Sequence, residues 1–265
     1  MYPSRKINII EYHNGAFSET TDNVASESRL KIFSDKKEIL SLLCTPTMVK
    51  ELVVGFAISE GLLSNNKTAD SRQEWCSERV EIFWKETEIE VHLPVNIPEA
   101  AATITSGCAK GITFISNISD EKLPVIHDDA SYNIKAVINL YQEFQKKSAL
   151  FKETGGVHSA ALCNEQEIIV FTEDIGRHNA VDKIIGYAFL EGIPLQGKIL
   201  LLSGRLSSEI TIKAIRSHIP ILVSRAAPTD LSVEIARDSN ITLIGFLRGQ
   251  NMNIYSQPSR IREKG

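Results

Sequence analysis

The second half of the chain alternates between two patterns of apolar residues. Helical spacing of apolar positions is found at residues 134–151, from 179 onward, at 207–217 and at 229–238. Short apolar runs typical of buried strands are found at residues 158–163, 167–172, 199–202, 221–224 and 241–246. Alternation of this kind indicates a largely parallel sheet with helices on both faces. We therefore predict a three-layer α/β/α domain over residues 132–265.

The first 115 residues show shorter elements without this alternation, and they predict a smaller α+β region. Strands are predicted at residues 7–12, 30–33, 79–84 and 88–93, and a helix at residues 48–63. Residues 18–28 are polar. Residues 116–131 are polar and turn-rich, and we interpret them as the connection between the two halves.

Each of four predicted strands in the second half ends in a loop of unusual polar content. These loops are residues 173–179, 203–205, 224–226 and 246–251. Because successive strands of a parallel sheet run the same way, the four loops should meet at one edge and form one pocket. Each loop carries one arginine, and a guanidinium group binds phosphate through paired hydrogen bonds. The set Arg177, Arg205, Arg225 and Arg248 suggests a polyanionic ligand such as a nucleotide diphosphate, with surface salt bridging as the alternative.

Residues 173–183 are the densest run of chemically capable side chains in the chain, and they lie where a strand passes into a helix. Arg177 and His178 stand at the predicted helix start, where backbone amides and the helix dipole favour an anion. Asp182 and Lys183 lie one turn further on. The pattern leaves open whether these two pair on the helix surface or contact a ligand.

Further polar positions follow from helix chemistry and amide geometry. Ser207 is a predicted N-cap, with Glu209 suited to the positive end of the same helix, and Thr229 or Asp230 is the predicted N-cap of the next helix. In the last loop, Gln250 and Asn251 each offer a donor and an acceptor that could pair with a purine or pterin edge.

Cys108 is the best candidate for a nucleophile. It lies between Gly107 and Gly111 and close to Lys110, so backbone amides and an ammonium group could stabilise a thiolate. A cysteine that happens to fall in a loop is an equally good interpretation. The other three cysteines are predicted to be structural: Cys44, Cys76 and Cys163. Either His158, at a strand start, or His178 could move a proton, and the sequence does not select between them.

The bulk properties describe an ordinary soluble protein and exclude several classes. The chain has 265 residues, of which 43% are hydrophobic, and its formal net charge of −4 disfavours non-specific nucleic-acid binding. No apolar run approaches the roughly 18 residues that span a bilayer. The N-terminus lacks the apolar core of a signal peptide. Four cysteines without Cys-x-x-Cys spacing favour reduced thiols, and we expect a cytoplasmic protein.

Several motifs together resemble one family. They are residues 173–183, Ser203–Arg205, Ala227–Thr229, Gly245–Phe246 and the stretch from Val54 to Gly61. In this combination the chain resembles the formate dehydrogenase accessory sulfurtransferase family (FdhD), most weakly before residue 30 and between 64 and 100. The resemblance implies a protein that accepts sulfur from a cysteine desulfurase as a cysteine persulfide. It would pass this sulfur to the molybdenum (or tungsten) bis(pterin guanine dinucleotide) cofactor of formate dehydrogenase.

The resemblance also implies roles for particular residues. The persulfide cysteine corresponds to Cys108, and the second cysteine of many members is replaced here by Gly111, which leaves single-cysteine transfer. The cofactor-contacting segment corresponds to Phe246, Leu247, Arg248, Gly249, Gln250 and Asn251. A homodimer is expected on the resemblance alone.

The second half of this family resembles the cytidine deaminase fold, but the zinc-binding set of the deaminases is missing. His158-Ser159-Ala160 lacks the glutamate of His-x-Glu, and no Pro-Cys-x-x-Cys follows. We therefore predict no catalytic zinc, and a zinc hydrolase is the least favoured of the alternatives. The main alternative to a sulfur carrier is a chaperone that binds and delivers the molybdenum cofactor without carrying sulfur.

Overall fold

The computed structural model describes residues 1–34, 37–61, 80–86, 88–93, 103–104, 112–113 and 123–263. Its strands are β1 (Ser4–His13), β2 (Ala16–Ala25), β3 (Ser28–Ser34), β4 (Lys37–Cys44), β5 (Glu81–Trp84), β6 (Glu88–Leu93), β7 (Thr103–Ile104), β8 (Ile112–Thr113), β9 (Tyr132–Asn133), β10 (His158–Cys163), β11 (Ile168–Asp174), β12 (Ile199–Leu202), β13 (Ile221–Ser224), β14 (Thr242–Arg248), β15 (Asn251–Ser256) and β16 (Ile261–Arg262). Its α-helices are α1 (Val49–Ser59), α2 (Ile134–Lys147), α3 (Ala149–Thr154), α4 (Arg177–Leu190), α5 (Ser208–Arg216) and α6 (Asp230–Asp238). None of the helices in these ranges is long and apolar enough to cross a membrane.

A six-stranded sheet with the order β11-β10-β12-β13-β14-β15 forms the centre of the second half. The pairs β12–β13 and β13–β14 are parallel, and the other three pairs are antiparallel. The predicted α/β class is confirmed, and β11, β12, β13 and β14 all run the same way. Strands β10 and β15 run in the opposite direction, because short turns join β10 to β11 and β14 to β15, and a short turn can connect only antiparallel strands.

The two faces of this sheet are both covered, as the three-layer prediction requires. On one face Leu200, Leu202 and Leu222 pack with the apolar sides of α4, α5 and α6. On the other face Leu201 and Val223, together with their neighbours, pack against α2. Strands buried on both faces consist of continuous apolar runs. Such runs predicted the bounds of β12 and β13 correctly.

The first half contains a four-stranded sheet with the order β4-β3-β6-β5, and α1 packs against it. The other side of α1 contacts α4 through two glycines. A Cβ atom on Gly55 would lie 1.7 Å from the backbone oxygen of Asp182, and one on Gly186 would lie 1.9 Å from that of Glu51. Only glycine allows the two helices to approach backbone to backbone. The two halves therefore share a helix–helix contact, while the proposed division at residues 115 and 132 stays a prediction.

The sequence-based prediction missed several strands, β2 and β15 among them. Most of β2 is exposed, and residues 18–28 were expected to be a polar stretch. A strand exposed on both faces has no apolar alternation to reveal it. Helix α4 begins at Arg177 rather than at residue 179, and the helix predicted over 134–151 is divided at Ser148.

Candidate functional site

The four polar loops predicted to converge do meet at one edge of the central sheet, because the strands that precede them run in the same direction. The amide of Leu206 donates to the carbonyl of Ala227 at 3.1 Å, and that of Phe246 donates to the carbonyl of Ala226 at 3.2 Å. The start of β10 lies at the same edge, since the amide of Ser203 donates to the carbonyl of Ser159 at 3.1 Å.

A buried tyrosine ties two of these loops to the layer of helices below. The Tyr141 hydroxyl donates to the carbonyl of Leu202 at 2.8 Å and accepts from the amide of Arg225 at 2.9 Å. Burial raises the pKa of Tyr141 to about 12, so the hydroxyl stays protonated and keeps its donor. The Ser224 hydroxyl adds a second tie through a 2.7 Å bond to the carbonyl of Gly204. These bonds fix the backbone of the edge before any ligand binds.

Most of the polar residues in the 173–183 segment are used inside the protein. The fully buried carboxylate of Asp174 accepts from the amide of Thr45 at 3.1 Å, from the amide of Gly176 at 2.8 Å and from Nδ2 of Asn179 at 2.8 Å. It also pairs with Lys183 Nζ at 2.6 Å. Buried charges require this degree of pairing. These side chains fasten the connection between β4 and α1 onto the turn that precedes α4.

Asp182, which precedes Lys183 on α4, belongs to a second buried network. Its carboxylate accepts from Ser59 Oγ at 2.6 Å and from Lys213 Nζ at 2.9 Å, and Lys213 also pairs with Glu60 at 2.6 Å. Burial lowers the pKa of Lys213, but the carboxylates of Asp182 and Glu60 raise it by more, so the ammonium stays charged. The question left open for Asp182 and Lys183 is thereby answered. Both form internal ion pairs.

Arg177 and His178 are the members of this segment that lie at the open edge, on the first turn of α4. Gly204 packs closely against two side chains at this edge. A Cβ atom there would lie 3.3 Å from Arg177 Cδ and 3.3 Å from His158 Nδ1. His158 therefore contacts the same edge. Burial lowers the pKa of His158, and the charges of Arg177 and His178 lower it further, so its imidazole is neutral at neutral pH.

Glu209 is a site residue that sequence reasoning assigned only to the helix dipole. Its Oε2 atom lies 3.5 Å from His178 Nε2. The neighbouring His178, and then Ser207, hold the pKa of Glu209 down at about 2. Ser207 occupies the N-cap position of α5, but its hydroxyl makes no capping bond. In contrast, Thr229 caps α6 by accepting from the amide of Ser232 at 3.3 Å. The spacing of residues 178 and 209 carries no signal that could have predicted their contact.

The remaining predicted residues lie on the loops themselves, where Arg205, Arg225 and Arg248 are exposed. The Arg248 guanidinium lies over the ring of Phe246 at 5.8 Å from its centroid. Leu247 is buried in the core at 2% exposure, so its side chain is not available to a ligand at the edge.

A tight turn presents the last three residues of the predicted cofactor-contacting segment. Arg248 pairs with Asn251, and Gly249 between them has a φ of +60°. Gly249 is the first of the two turn residues, and a hairpin turn of this length favours glycine there. Gly249, Gln250 and Asn251 are all exposed.

Both cysteines in the described part of the chain, Cys44 and Cys163, are buried, as predicted for structural thiols. Burial raises the pKa of Cys44 to about 12 and raises the pKa of Cys163 further still, so neither is a thiolate at neutral pH. Cys76 and the predicted nucleophile Cys108 lie outside the described residues, as does Gly111. Within the ranges that the structure describes, no group of three or more His, Cys, Asp or Glu side chains is placed to hold a metal ion.

Comparison with known proteins gives a family. The model of the FdhD/NarQ family matches residues 25–262. The chain belongs to the FdhD/NarQ family. This confirms the resemblance drawn from the motifs at residues 173–183 and 203–205.

Relatives of this FdhD/NarQ chain match it over nearly its full length. The sulfur carrier protein FdhD of Bacillus pumilus (strain SAFR-032) is 36% identical over 269 residues, covering 99% of this chain and 100% of the relative. That of Listeria monocytogenes serotype 4b (strain F2365) is 37% identical over 264 residues, covering 96% and 97%. A crystal structure from Desulfotalea psychrophila, of a protein assigned as a formate dehydrogenase accessory protein, superposes with a TM-score of 0.74. It is 25% identical and covers 98% of this chain and 99% of that one.

Proposed function

We propose that this chain is a sulfur carrier in the maturation of formate dehydrogenase, and that Cys108 carries the sulfur as a persulfide. The family match and the names of the relatives support the carrier role. The observation that carries the rest is the open sheet edge, where loops that follow three strands running the same way each present an exposed arginine. We propose a cysteine desulfurase as the donor, formate dehydrogenase as the final client and the cytoplasm as the compartment.

The substrate proposed for the open edge is the molybdenum bis(pterin guanine dinucleotide) cofactor. Its pyrophosphates would bind Arg205, Arg225 and Arg248, which are exposed and cationic, together with the helix start at Arg177. The amides of Gln250 and Asn251 would contact the guanine edge, since an amide presents a donor and an acceptor side by side.

The sulfur moves in two balanced steps. First, the Cys108 thiolate attacks the outer sulfur of the donor persulfide, the donor S–S bond breaks, and the donor cysteine leaves as a thiolate. Second, the outer sulfur passes to the metal of the bound substrate, and Cys108 leaves as a thiolate. The metal supplies the two electrons that reduce this sulfur to sulfide.

His158 is the proposed proton acceptor at the edge. Its depressed pKa keeps it neutral near pH 7, so one ring nitrogen is free of a proton. His178 lies on the first turn of α4, and its Nε2 atom is 3.5 Å from the carboxylate of Glu209. We therefore propose that His158 accepts the proton of the Cys108 thiol, and that His178 helps to hold the anion.

The test combines persulfide detection with nucleotide binding. Wild type, Cys108→Ala and Cys76→Ala are incubated with a cysteine desulfurase and cysteine, and one added sulfur atom is sought by intact-protein mass spectrometry. We expect it on wild type and on Cys76→Ala but not on Cys108→Ala, while all three bind guanosine diphosphate equally in calorimetry.

The cofactor chaperone is the alternative function, and it is favoured by one observation: the exposed cations proposed to hold the cofactor, Arg205, Arg225 and Arg248, could bind it whether or not residue 108 carries sulfur. If Cys108→Ala restores formate dehydrogenase activity fully in cells that lack the native protein, sulfur carriage by this residue is refuted and the chaperone replaces it.

A further inference from the structure

Glu209 places a carboxylate at the open edge, where an anion is proposed to bind. It lies on the first turn of α5, and its Oε2 atom is 3.5 Å from Nε2 of His178 on the first turn of α4. The pKa of Glu209 is about 2, so the carboxylate is ionised at neutral pH. By Coulomb's law alone, a negative charge at this position weakens the binding of an anion. Charge alone therefore does not explain why a carboxylate occupies the edge.

His178 presents one of its two ring nitrogens to this carboxylate. Among the described residues, its Nε2 atom is buried and makes no hydrogen bond, and its ion-pair contact is with Glu209. Contacts of this kind are often long in a site without ligand, and they shorten when the ligand binds. With Nε2 facing the carboxylate, Nδ1 is the ring nitrogen that is left to contact a ligand.

We propose that Glu209 is a positioning residue, whose carboxylate accepts a hydrogen bond from Nε2–H of His178 and fixes the imidazole so that Nδ1 contacts the bound anion. The inference rests on the proposed function, because the anion is a phosphate of the nucleotide cofactor. Glu209 does not touch this ligand itself and acts through His178.

The local backbone and a neighbouring hydroxyl hold Glu209 in place before a ligand binds. The chain that leads into α5 is tied to the next loop, where the amide of Leu206 donates to the carbonyl of Ala227 at 3.1 Å. Ser207 follows, 9% exposed, and its hydroxyl makes no capping bond to α5. This hydroxyl instead lowers the pKa of Glu209, so it lies beside the carboxylate. A positioning residue needs support of this kind from its own neighbours.

A partly exposed ion pair without a role in binding is the alternative interpretation. Exposed pairs contribute little to stability, and the side chains of His178 and Glu209 are 27% and 16% exposed. The two interpretations predict effects of opposite sign on anion affinity. If Glu209 contributes only charge, its removal strengthens the binding of an anion. If it positions His178, its removal weakens that binding.

A double-mutant cycle with guanosine diphosphate tests the proposal. Wild type, Glu209→Ala, His178→Ala and the double variant are compared by calorimetry on the full chain. We expect each single variant to bind the nucleotide about tenfold more weakly, because each loses the same hydrogen bond to a phosphate. The double variant should bind no more weakly than His178→Ala, since Glu209 acts only through His178.

Two further variants separate position from charge. Glu209→Gln keeps an oxygen that accepts from Nε2–H, so its affinity should stay within about threefold of wild type. Asp230→Asn is the matched control, since it removes an exposed carboxylate from the first turn of α6, and it should not weaken binding. Circular dichroism on each variant reports whether the fold is kept.

Nitrogen-15 NMR of the imidazole tests the pair without nucleotide. At a pH where the ring is neutral, we expect the proton on Nε2 of His178 in wild type and in Glu209→Gln. A proton on Nδ1 in wild type would overturn the proposal even if Glu209→Ala did not fold.

Two results of the cycle would overturn the positioning role while leaving the nucleotide site intact. They are unchanged or stronger binding by Glu209→Ala, and a double variant that binds more weakly than His178→Ala. A wild-type chain without affinity for guanosine diphosphate is a different outcome, because it would overturn the nucleotide site of the proposed function and this inference together.

Discussion

The buried side of the 173–183 segment and its open side differ in what their charges do. On the buried side, the side chains of Asp174 and Lys183 have zero exposure and form an ion pair at 2.6 Å. On the open side, Arg177 and His178 lie among loops with exposed arginines. A dense polar motif is therefore not by itself a binding site. Burial decides which of its charges hold the fold and which are available to a ligand.

The largest expected effect comes from breaking the buried pair. Lys183→Met leaves the carboxylate of Asp174 buried without its cation, and we expect the free energy of unfolding to fall by about 3–5 kcal/mol. Urea denaturation followed by circular dichroism measures it. The control is Arg205→Met, an exposed substitution of similar size, which should change stability by less than about 0.5 kcal/mol. Equal losses in the two variants would contradict the division into buried and open sides.

The next largest effect is expected on nucleotide affinity, with the free energy of unfolding unchanged. The double variant Arg205→Gln, Arg225→Gln removes two exposed cations from the edge. Charge-assisted hydrogen bonds contribute about 1.5–3 kcal/mol each, so the affinity for guanosine diphosphate should fall at least tenfold in calorimetry. An unchanged affinity would place the nucleotide elsewhere.

A smaller effect is expected at Gly204, which packs closely against Arg177 and His158. In Gly204→Ala the new methyl group contacts Arg177 and His158 at 3.3 Å, which forces a small shift of both side chains. We expect a destabilisation of about 1 kcal/mol and a several-fold loss of nucleotide affinity. Ala226→Gly on the adjacent loop removes a methyl group instead, and it should retain a higher nucleotide affinity than Gly204→Ala.

The smallest effect concerns acid stability. The pKa of Glu209 is about 2 in the fold, against 4.5 for an ordinary glutamate, so it contributes stability above about pH 4.5 that is lost as the pH falls toward 2. In Glu209→Gln this part of the acid dependence should disappear, which thermal melts between pH 2 and 6 would detect. A profile identical to wild type would show that the contact with His178 does not shift this carboxyl.

The sequence predicted the central architecture well because the central strands are buried on both faces. Apolar runs mark β12 and β13, and the polar residues that follow them mark the edge. Hairpin strand β2 was missed because its exposed residues carry no alternation. The partners of Asp182 and Lys183 could not be predicted from the sequence either, since Lys213 and Thr45 lie 31 and 138 residues away along the chain. The role of Cys108 stays a prediction of the family resemblance.

The most direct test of the account is a map of where guanosine diphosphate protects the protein, obtained by amide hydrogen exchange with and without the nucleotide. We expect slower exchange at residues 203–205, 224–226 and 246–251, and unchanged exchange at residues 173–176, the turn that contains the buried Asp174. Protection confined to other segments, or none at these three loops, would contradict the assignment of the open edge as the binding site.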